Sequence, residues 1–313
     1  MYQYIFGPVL SRRLGTSLGI DLVPLKTCDL NCIYCECGRT SHLTMERKEY
    51  VPLELVCEEL TRFLSANPAP DYLTFSGSGE PLLYNRAGEL VAWIKEHTPE
   101  IPLAILTNGT LFTDPVVRRE VLRADLILPS LDAATPALYR KIDRPHPRLQ
   151  VEKIIAGLAE LRREYTGRIW LEVFIVPGLN DQEIELTALK EAILLIAPDR
   201  VQLNTLDRPG TLPGLRVAAR PELERIIEFW QLPQVEIVTR RASDPEPRTV
   251  RTERQGTILE TIARRPCTLE DLAGILGMHI NEVNKYLAIL EKEGKIHTER
   301  SGSLLFYAAG EQK

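Results

Sequence analysis

From about residue 17 to residue 206 the sequence alternates short apolar runs with amphipathic helical stretches, and this alternation limits the fold more than any other feature. Candidate strands are Ser17–Val23, Tyr72–Phe75, Pro102–Leu106, Leu126–Leu131, Trp170–Val176 and Arg200–Leu206. Helical periodicity fills the gaps at Leu53–Leu64, Ala87–His97, Pro115–Arg123, Glu152–Arg163 and Gln182–Ile196. Asp181 is placed to cap the last of these, with Glu183 and Glu185 in its first turn. A βαβα order calls for a parallel sheet with crossover helices. Six units predict an α/β fold, a partial (β/α)6 barrel short of eight-stranded closure. Ligands of such folds meet the loops that follow the C-terminal ends of the strands.

A chain of 313 residues has room for a second domain. Residues Arg240–Arg254 are polar, contain Pro245 and Pro247 and lack apolar periodicity, which reads as a linker over 240–254. The expected division is a barrel over 1–239 and a small domain over 255–313. In the small domain Gly256–Arg264 reads as a helix with Ile258, Leu259 and Ile262 inward. Thr268 and Asp271 have capping-box spacing before Leu269–Leu276. Val283, Tyr286, Leu287 and Leu290 share one face of Ile280–Glu293, Gly294 ends that helix, and Lys295–His297 and Leu304–Tyr307 read as a hairpin. This is the pattern of a winged helix-turn-helix domain.

No stretch approaches 18 uninterrupted apolar residues, and the N-terminus lacks a secretory pattern, so a cytoplasmic location without membrane contact is expected. A net charge of −5 gives no global pull toward nucleic acid or anionic lipid. In a reducing compartment six cysteines point to metal or redox chemistry before disulfides. Cys57 and Cys267 stand alone in helical patterns and read as core residues.

The other four cysteines fall together. Lys26-Thr-Cys-Asp-Leu-Asn-Cys-Ile-Tyr-Cys35 follows the first strand and spaces its cysteines C-x3-C-x2-C, with Cys37 just beyond. Three thiolates hold three irons of a [4Fe–4S] cube and leave the fourth open. The alternative is a structural zinc site with Cys37 or a histidine as fourth ligand, although no second knuckle pairs with this one. The motif resembles that of the radical S-adenosylmethionine (SAM) superfamily. The resemblance makes Cys28, Cys32 and Cys35 the catalytic and metal-ligating residues, with a [4Fe–4S] cluster and SAM as cofactors. It implies that SAM chelates the open iron, and that one-electron reduction yields methionine and a 5′-deoxyadenosyl radical that takes a substrate hydrogen. The aromatic Tyr34 belongs to the same motif.

The later strand ends extend the resemblance. Thr74-Phe-Ser-Gly-Ser-Gly-Glu-Pro81 is similar to the superfamily's glycine-rich loop, which assigns Gly77, Ser78, Gly79 and Glu80 to the methionine amino group. Glycine there lets backbone approach a ligand, though a plain βα turn has the same composition. Asn108, in Thr107-Asn-Gly109, is placed either to contact ligand or to cap a helix. Ser130 and Asp132 share one side of their strand. In relatives this region contacts the SAM ribose or the substrate, and helix capping is the alternative for Asp132. Val176 offers an adenine contact or core packing. Gln202 and Asn204 give the inward polar pattern of a ligand-filled barrel. Lys26, Arg12 and Arg13 are candidates for an anionic substrate group, against the usual role of solvated surface.

With Gly7-Pro-Val-Leu-Ser-Arg-Arg-Leu-Gly-Thr-Ser-Leu-Gly-Ile-Asp21 and Asn204-Thr-Leu-Asp-Arg-Pro209 added, the chain resembles wyosine-type tRNA synthases over about residues 5–210. It departs from them in having no cysteine before Cys28, where they carry a second cluster. The resemblance implies a low-potential electron donor, flavodoxin or ferredoxin, and a protein or RNA substrate. A redox-sensing winged-helix transcription regulator is the competing reading. Residues 251–313 hold nine Lys/Arg against nine Asp/Glu. That neutral surface supplies little phosphate-neutralising charge, so specific DNA binding is not expected. A protein contact, with substrate or with a second copy, suits it better.

Overall fold

The computed structural model describes residues 2–206, 210–212, 214–238, 254–259, 261–262, 266–301 and 304–310. It divides into two compact units, Tyr4–Thr239 and a smaller one of Met1–Gln3 with Arg240–Lys313.

The larger unit opens with a hairpin, β1 (Ile5–Ser11) and β2 (Gly15–Ile20). A two-residue pairing of β3 (Thr27–Cys28) with β4 (His42–Leu43) pins the two ends of the cysteine loop. Then follow α1 (Leu53–Ala66), β5 (Tyr72–Phe75), α2 (Ala87–His97), β6 (Leu103–Thr107), α3 (Pro115–Glu120) and β7 (Leu126–Pro129). The unit continues through α4 (Pro136–Ile142), α5 (Val151–Glu164), β8 (Arg168–Phe174), α6 (Glu183–Ile196), β9 (Arg200–Asn204), α7 (Arg220–Trp230) and β10 (Val235–Ile237). The sheet runs β1-β2-β5-β6-β7-β8-β9-β10, and every pairing after the first hairpin is parallel. Its strands are apolar almost without break; Leu103, Ala104 and Ile105 are all buried, as a parallel sheet covered on both faces requires.

All six expected strands form, and two more join them. Strand β1 carries Gly7-Pro8 at an irregularity between Phe6 and Val9. An edge strand tolerates a proline there, because the missing N–H costs no ladder bond. Strand β10 adds a seventh parallel strand beside β9. Two helices also go beyond the sequence reading. Thr135 caps α4 through its hydroxyl with Pro136 at the first helical position. In α7 the Glu222 carboxylate accepts the Ala219 N–H. Asp181 is not the cap of α6; Gln182 holds that position, and Asp181 accepts the Gly178 N–H at 2.7 Å, closing the preceding turn.

The turn between β1 and β2 tucks inward. Leu14 is buried against Ala104, Leu126, Leu128 and Trp170, on β6 to β8. Beside it, Arg13 pairs with Glu172 on β8 and reaches Gln202 on β9 at 3.4 Å. A loop from one edge of the sheet thus reaches across to its middle strands.

In the smaller unit, helices Leu269–Leu276 and Ile280–Lys292 precede antiparallel strands β11 (Ile296–Ser301) and β12 (Leu304–Ala309). Thr268 and Asp271 cap each other's backbone N–H groups at 3.1 Å. Val283, Leu287 and Leu290 are buried with Ile258, Ile262 and Cys267, while Tyr286 and Leu259 are half-buried. Cys57, on α1, is half-buried and not a core residue. The expected linker at 240–254 lies outside the described residues except for residue 254, which is helical. Among the described residues no helix is long and apolar enough to cross a membrane.

Candidate active site

The cysteine loop is clamped from both sides. Asn31 and Ile33 donate backbone N–H bonds to the carbonyls of Asp143 and Ile142, at the end of α4, and His146 donates to the carbonyl of Asp29, all within 2.8–2.9 Å. From the other side Leu212 N–H bonds the Ile33 carbonyl at 3.0 Å, and the Thr211 hydroxyl bonds that of Cys32. Leu30 and Ile33 are buried anchors. With Ile33 pointing inward, Cys28, Cys32 and Cys35 turn, together with Leu30, toward a cavity of about 310 Å3 at the C-terminal ends of the strands. Tyr34, Gly77, Gly79, Glu80, Asn108, Ser130 and Asp132 line it as well. Three expected residues do not. Ser78 lies behind the loop with its hydroxyl 3.4 Å from the Asp21 carboxylate, the buried Val176 binds Asn180 through its backbone N–H, and Asn204 turns to Glu172 at 3.4 Å.

The two glycines of the second loop act differently from the sequence reading. A Cβ on Gly79 would stand 2.0 Å from the Thr27 carbonyl oxygen, and one on Gly77 would stand 2.0 Å from Asp21 Oδ1. Their smallness lets this loop approach the cysteine loop and Asp21. Glu80 is likewise held internally: its carboxylate accepts from the Thr107 hydroxyl at 2.6 Å, Asn108 N–H at 2.8 Å and Leu82 N–H at 3.1 Å. Burial, then the nearby Asp29, pushes its pKa up to about 8. The Asn108 side-chain oxygen accepts the Thr110 N–H at 3.1 Å at the start of a short 3-10 turn, and its amide nitrogen donates to Asp29 Oδ1 at 2.5 Å and stands 3.7 Å from Cys28 Sγ. Tyr34 stacks on Phe174 with ring centroids 4.0 Å apart, and its hydroxyl donates to Asp132. Burial raises Asp132 to about 7, against hydrogen bonds from Tyr34 and from Phe174 N–H.

The sulfurs have unequal surroundings. Burial drives the thiols of Cys28 and Cys32 well above their ordinary range. A hydrogen bond with Cys37, opposed by burial and helped by Lys26, brings Cys35 down to about 5. Cys37 also lies 3.8 Å from the Gly77 carbonyl. Lys26 points at Cys35 and not toward an external anion. Arg12 is exposed, whereas Arg13 lines the cavity floor in its pair with Glu172. Asp207, Arg208 and Pro209 lie outside the described residues.

Four residues of the site escaped the sequence reading. Asp29 is fully buried between the cysteines and accepts from Thr110 and Asn108. Glu172 reaches the cavity from mid-strand. Tyr139 and Asp143 line the wall beside Cys32; the Tyr139 hydroxyl is buried with no hydrogen-bond partner among the described residues, and Asp143 meets the Asp132 carboxyl. Buried polar groups of this kind fit a polar group bound in the cavity. Together with three sulfurs on one wall and an ammonium at one of them, they suit an anionic iron–sulfur cluster.

Comparisons with known proteins agree with this geometry. The profile of the radical SAM superfamily matches residues 22–190. The chain is 32% identical over 307 residues to a UPF0026 protein of Helicobacter pylori, covering 97% of each. It is 35% identical over 305 residues to a Brachyspira hyodysenteriae protein called GTPase Obg, covering 97% of this chain but only 45% of that one. Among solved structures it is similar to a radical SAM methyltransferase from Sphaerobacter thermophilus. That match has a TM-score of 0.57 and 17% identity, and it covers 71% of this chain and 65% of that one, a likeness of fold alone.

Proposed function

We propose, from the premise that this chain belongs to the radical SAM superfamily, that it is an enzyme that cleaves SAM reductively to abstract hydrogen from a macromolecular substrate, protein or RNA. Its cofactors are a [4Fe–4S] cluster and SAM. The observation that carries the reading is the convergence of Cys28, Cys32 and Cys35 with Gly77, Gly79 and Asn108 around one cavity at the strand ends. When bound, these cofactors supply one-electron cleavage of a sulfonium and a carbon radical that takes a hydrogen atom.

The chain's own residues have distinct parts in this reading. The three thiolates hold the irons. The loop from Gly77 to Glu80, packed on Thr27, offers backbone to the methionine end. Tyr34, fixed by Phe174 and Asp132, presents an aromatic edge beside Cys35. Arg13 and Glu172 close the floor against water. The helices and hairpin of residues 269–309 are read as a winged helix that presents substrate or joins a second copy, and a low-potential flavodoxin or ferredoxin supplies electrons.

The test is anaerobic reconstitution with iron and sulfide, followed by reduction with SAM present. The protein should take up about four irons and four sulfides, and release 5′-deoxyadenosine and methionine. Cys28→Ala, Cys32→Ala and Cys35→Ala should each lose the iron, while Cys37→Ala keeps it. Stoichiometric zinc without visible absorption would sink the reading.

A further inference from the structure

Lys26 is a buried lysine without a carboxylate. It is 6% exposed, and among the described residues it makes no ion pair with Asp or Glu; its ammonium donates instead to Cys35 Sγ at 3.1 Å. Buried lysines ordinarily pair with an acid. Here the partner is a sulfur. The backbone is arranged to aim the side chain there. Lys26 sits at φ +58°, a left-handed conformation that residues other than glycine seldom adopt. It is held in place from both sides: its N–H donates to the Ser78 carbonyl at 3.2 Å, and its carbonyl accepts from His42 N–H at 3.1 Å. Such a conformation persists where the surroundings over-determine it. The residue therefore ties together the glycine-rich loop, the pinned ends of the cysteine loop, and one sulfur.

We infer that Lys26 is a positioning residue that holds its ammonium against the Cys35 ligand, orienting that sulfur and raising the reduction potential of the cluster. This rests on the radical SAM reading above. Reduction adds one electron to a cluster already bearing three thiolates, and a cation in hydrogen-bond contact with one of them favours the more negative state. Net charge and hydrogen bonds to sulfur are the levers a protein has on such potentials. Among the described residues no lysine or arginine donates a hydrogen bond to Cys28 or Cys32; Cys28 receives Leu30 N–H at 3.4 Å, and Cys32 faces the Asp143 carboxyl at 3.6 Å. The charge at the site is one-sided.

The test compares full-length wild-type, Lys26→Met and Lys26→Arg proteins, each reconstituted anaerobically and titrated against titanium(III) citrate with mediators, with reduced cluster counted by electron paramagnetic resonance. Lys26→Met should bind the same iron but lose more than tenfold in the equilibrium constant for one-electron reduction, at about 59 mV per factor of ten. Lys26→Arg should recover most of that loss. In wild-type protein grown with 15N at the lysine side-chain nitrogen, pulsed resonance of the reduced cluster should show a weak 15N coupling. A Lys26→Met protein with full iron that titrates within twofold of wild type overturns the inference, as does an absent 15N coupling. If Lys26→Met binds no iron, the wild-type coupling decides alone. A wild-type protein that takes up no cluster overturns the radical SAM reading itself, an outcome distinct from an intact cluster indifferent to Lys26.

Discussion

Replacing Gly79 with alanine tests whether the glycine-rich loop is shaped by its protein neighbours or by a ligand. The new Cβ would lie 2.0 Å from the Thr27 carbonyl oxygen and 2.7 Å from Val23 Cγ2, more than about 1 Å inside ordinary contact. Forcing that atom into a packed interior costs about 1–3 kcal/mol. The Thr27 oxygen also accepts the Glu80 N–H at 3.0 Å, and pushing it aside leaves buried groups unpaired at about 1–3 kcal/mol more. A loss near 4 kcal/mol lowers the melting temperature of a domain this size by roughly 10 °C. Because Thr27 precedes Cys28, iron loading should fall in parallel. Gly77→Ala is the contrast: its Cβ would strike only the end of the Asp21 side chain. Asp21→Ala in the same chain should relieve part of its cost, whereas no side-chain change at position 27 relieves a clash with backbone. Circular dichroism melts and iron analysis on these variants decide the matter. A Gly79→Ala protein that melts within about 2 °C of wild type and binds full iron would refute the reasoning.

Glu80 makes the stability of the iron-free protein depend on pH. The folded state keeps its proton up to about 8, whereas the unfolded chain releases it near the ordinary value of 4.5, so between these values the unfolded state binds fewer protons and stability falls as pH rises. Urea midpoints at pH 5.5 and pH 8 should show that decline, and Glu80→Gln should make it shallower, Asp132 supplying a remaining part of the same sign; equal slopes in the two proteins would count against the buried acid. A chain ending at Thr239 retains the whole sheet and its own core and should fold and load iron unaided. If it is folded by circular dichroism yet takes up no iron, the smaller unit has a part in cluster assembly that the reading above denies it.

Sequence periodicity reveals an element when burial repeats along it. Strands β5 to β9 are covered on both faces, and helices α1, α2, α5 and α6 each bury one continuous stripe, so all were legible. Strand β10 is three half-buried residues with a glutamate in the middle, and β1 is interrupted by Gly7-Pro8; neither leaves a pattern. In α4 the Thr135-Pro136 start signal was present, but its short length and the prolines at 145 and 147 obscured it. The cysteine triplet was visible because its spacing is local. Asp143 against the cysteine loop, Glu172 against Arg13, and Glu80 against Thr107 and Asn108 join residues that only tertiary folding brings together. That is also why the contacts of Glu80 and the two glycines with other parts of the protein left no trace in the sequence.

The floor of the cavity has a history built into it. Arg13 and its carboxylate are separated by 159 positions in the chain. As the protein leaves the ribosome, the first hairpin emerges early, but its turn has nothing to close upon until β8 has been made. Closing so long a loop costs more chain entropy than pairing neighbouring strands, and such contacts form late. The cysteine loop meets its α4 clamp before Glu172 emerges, so the wall that holds the metal is raised before the floor is laid. A nascent chain paused between these two events would expose its thiols from below, at the stage of its life when oxygen can most easily reach them.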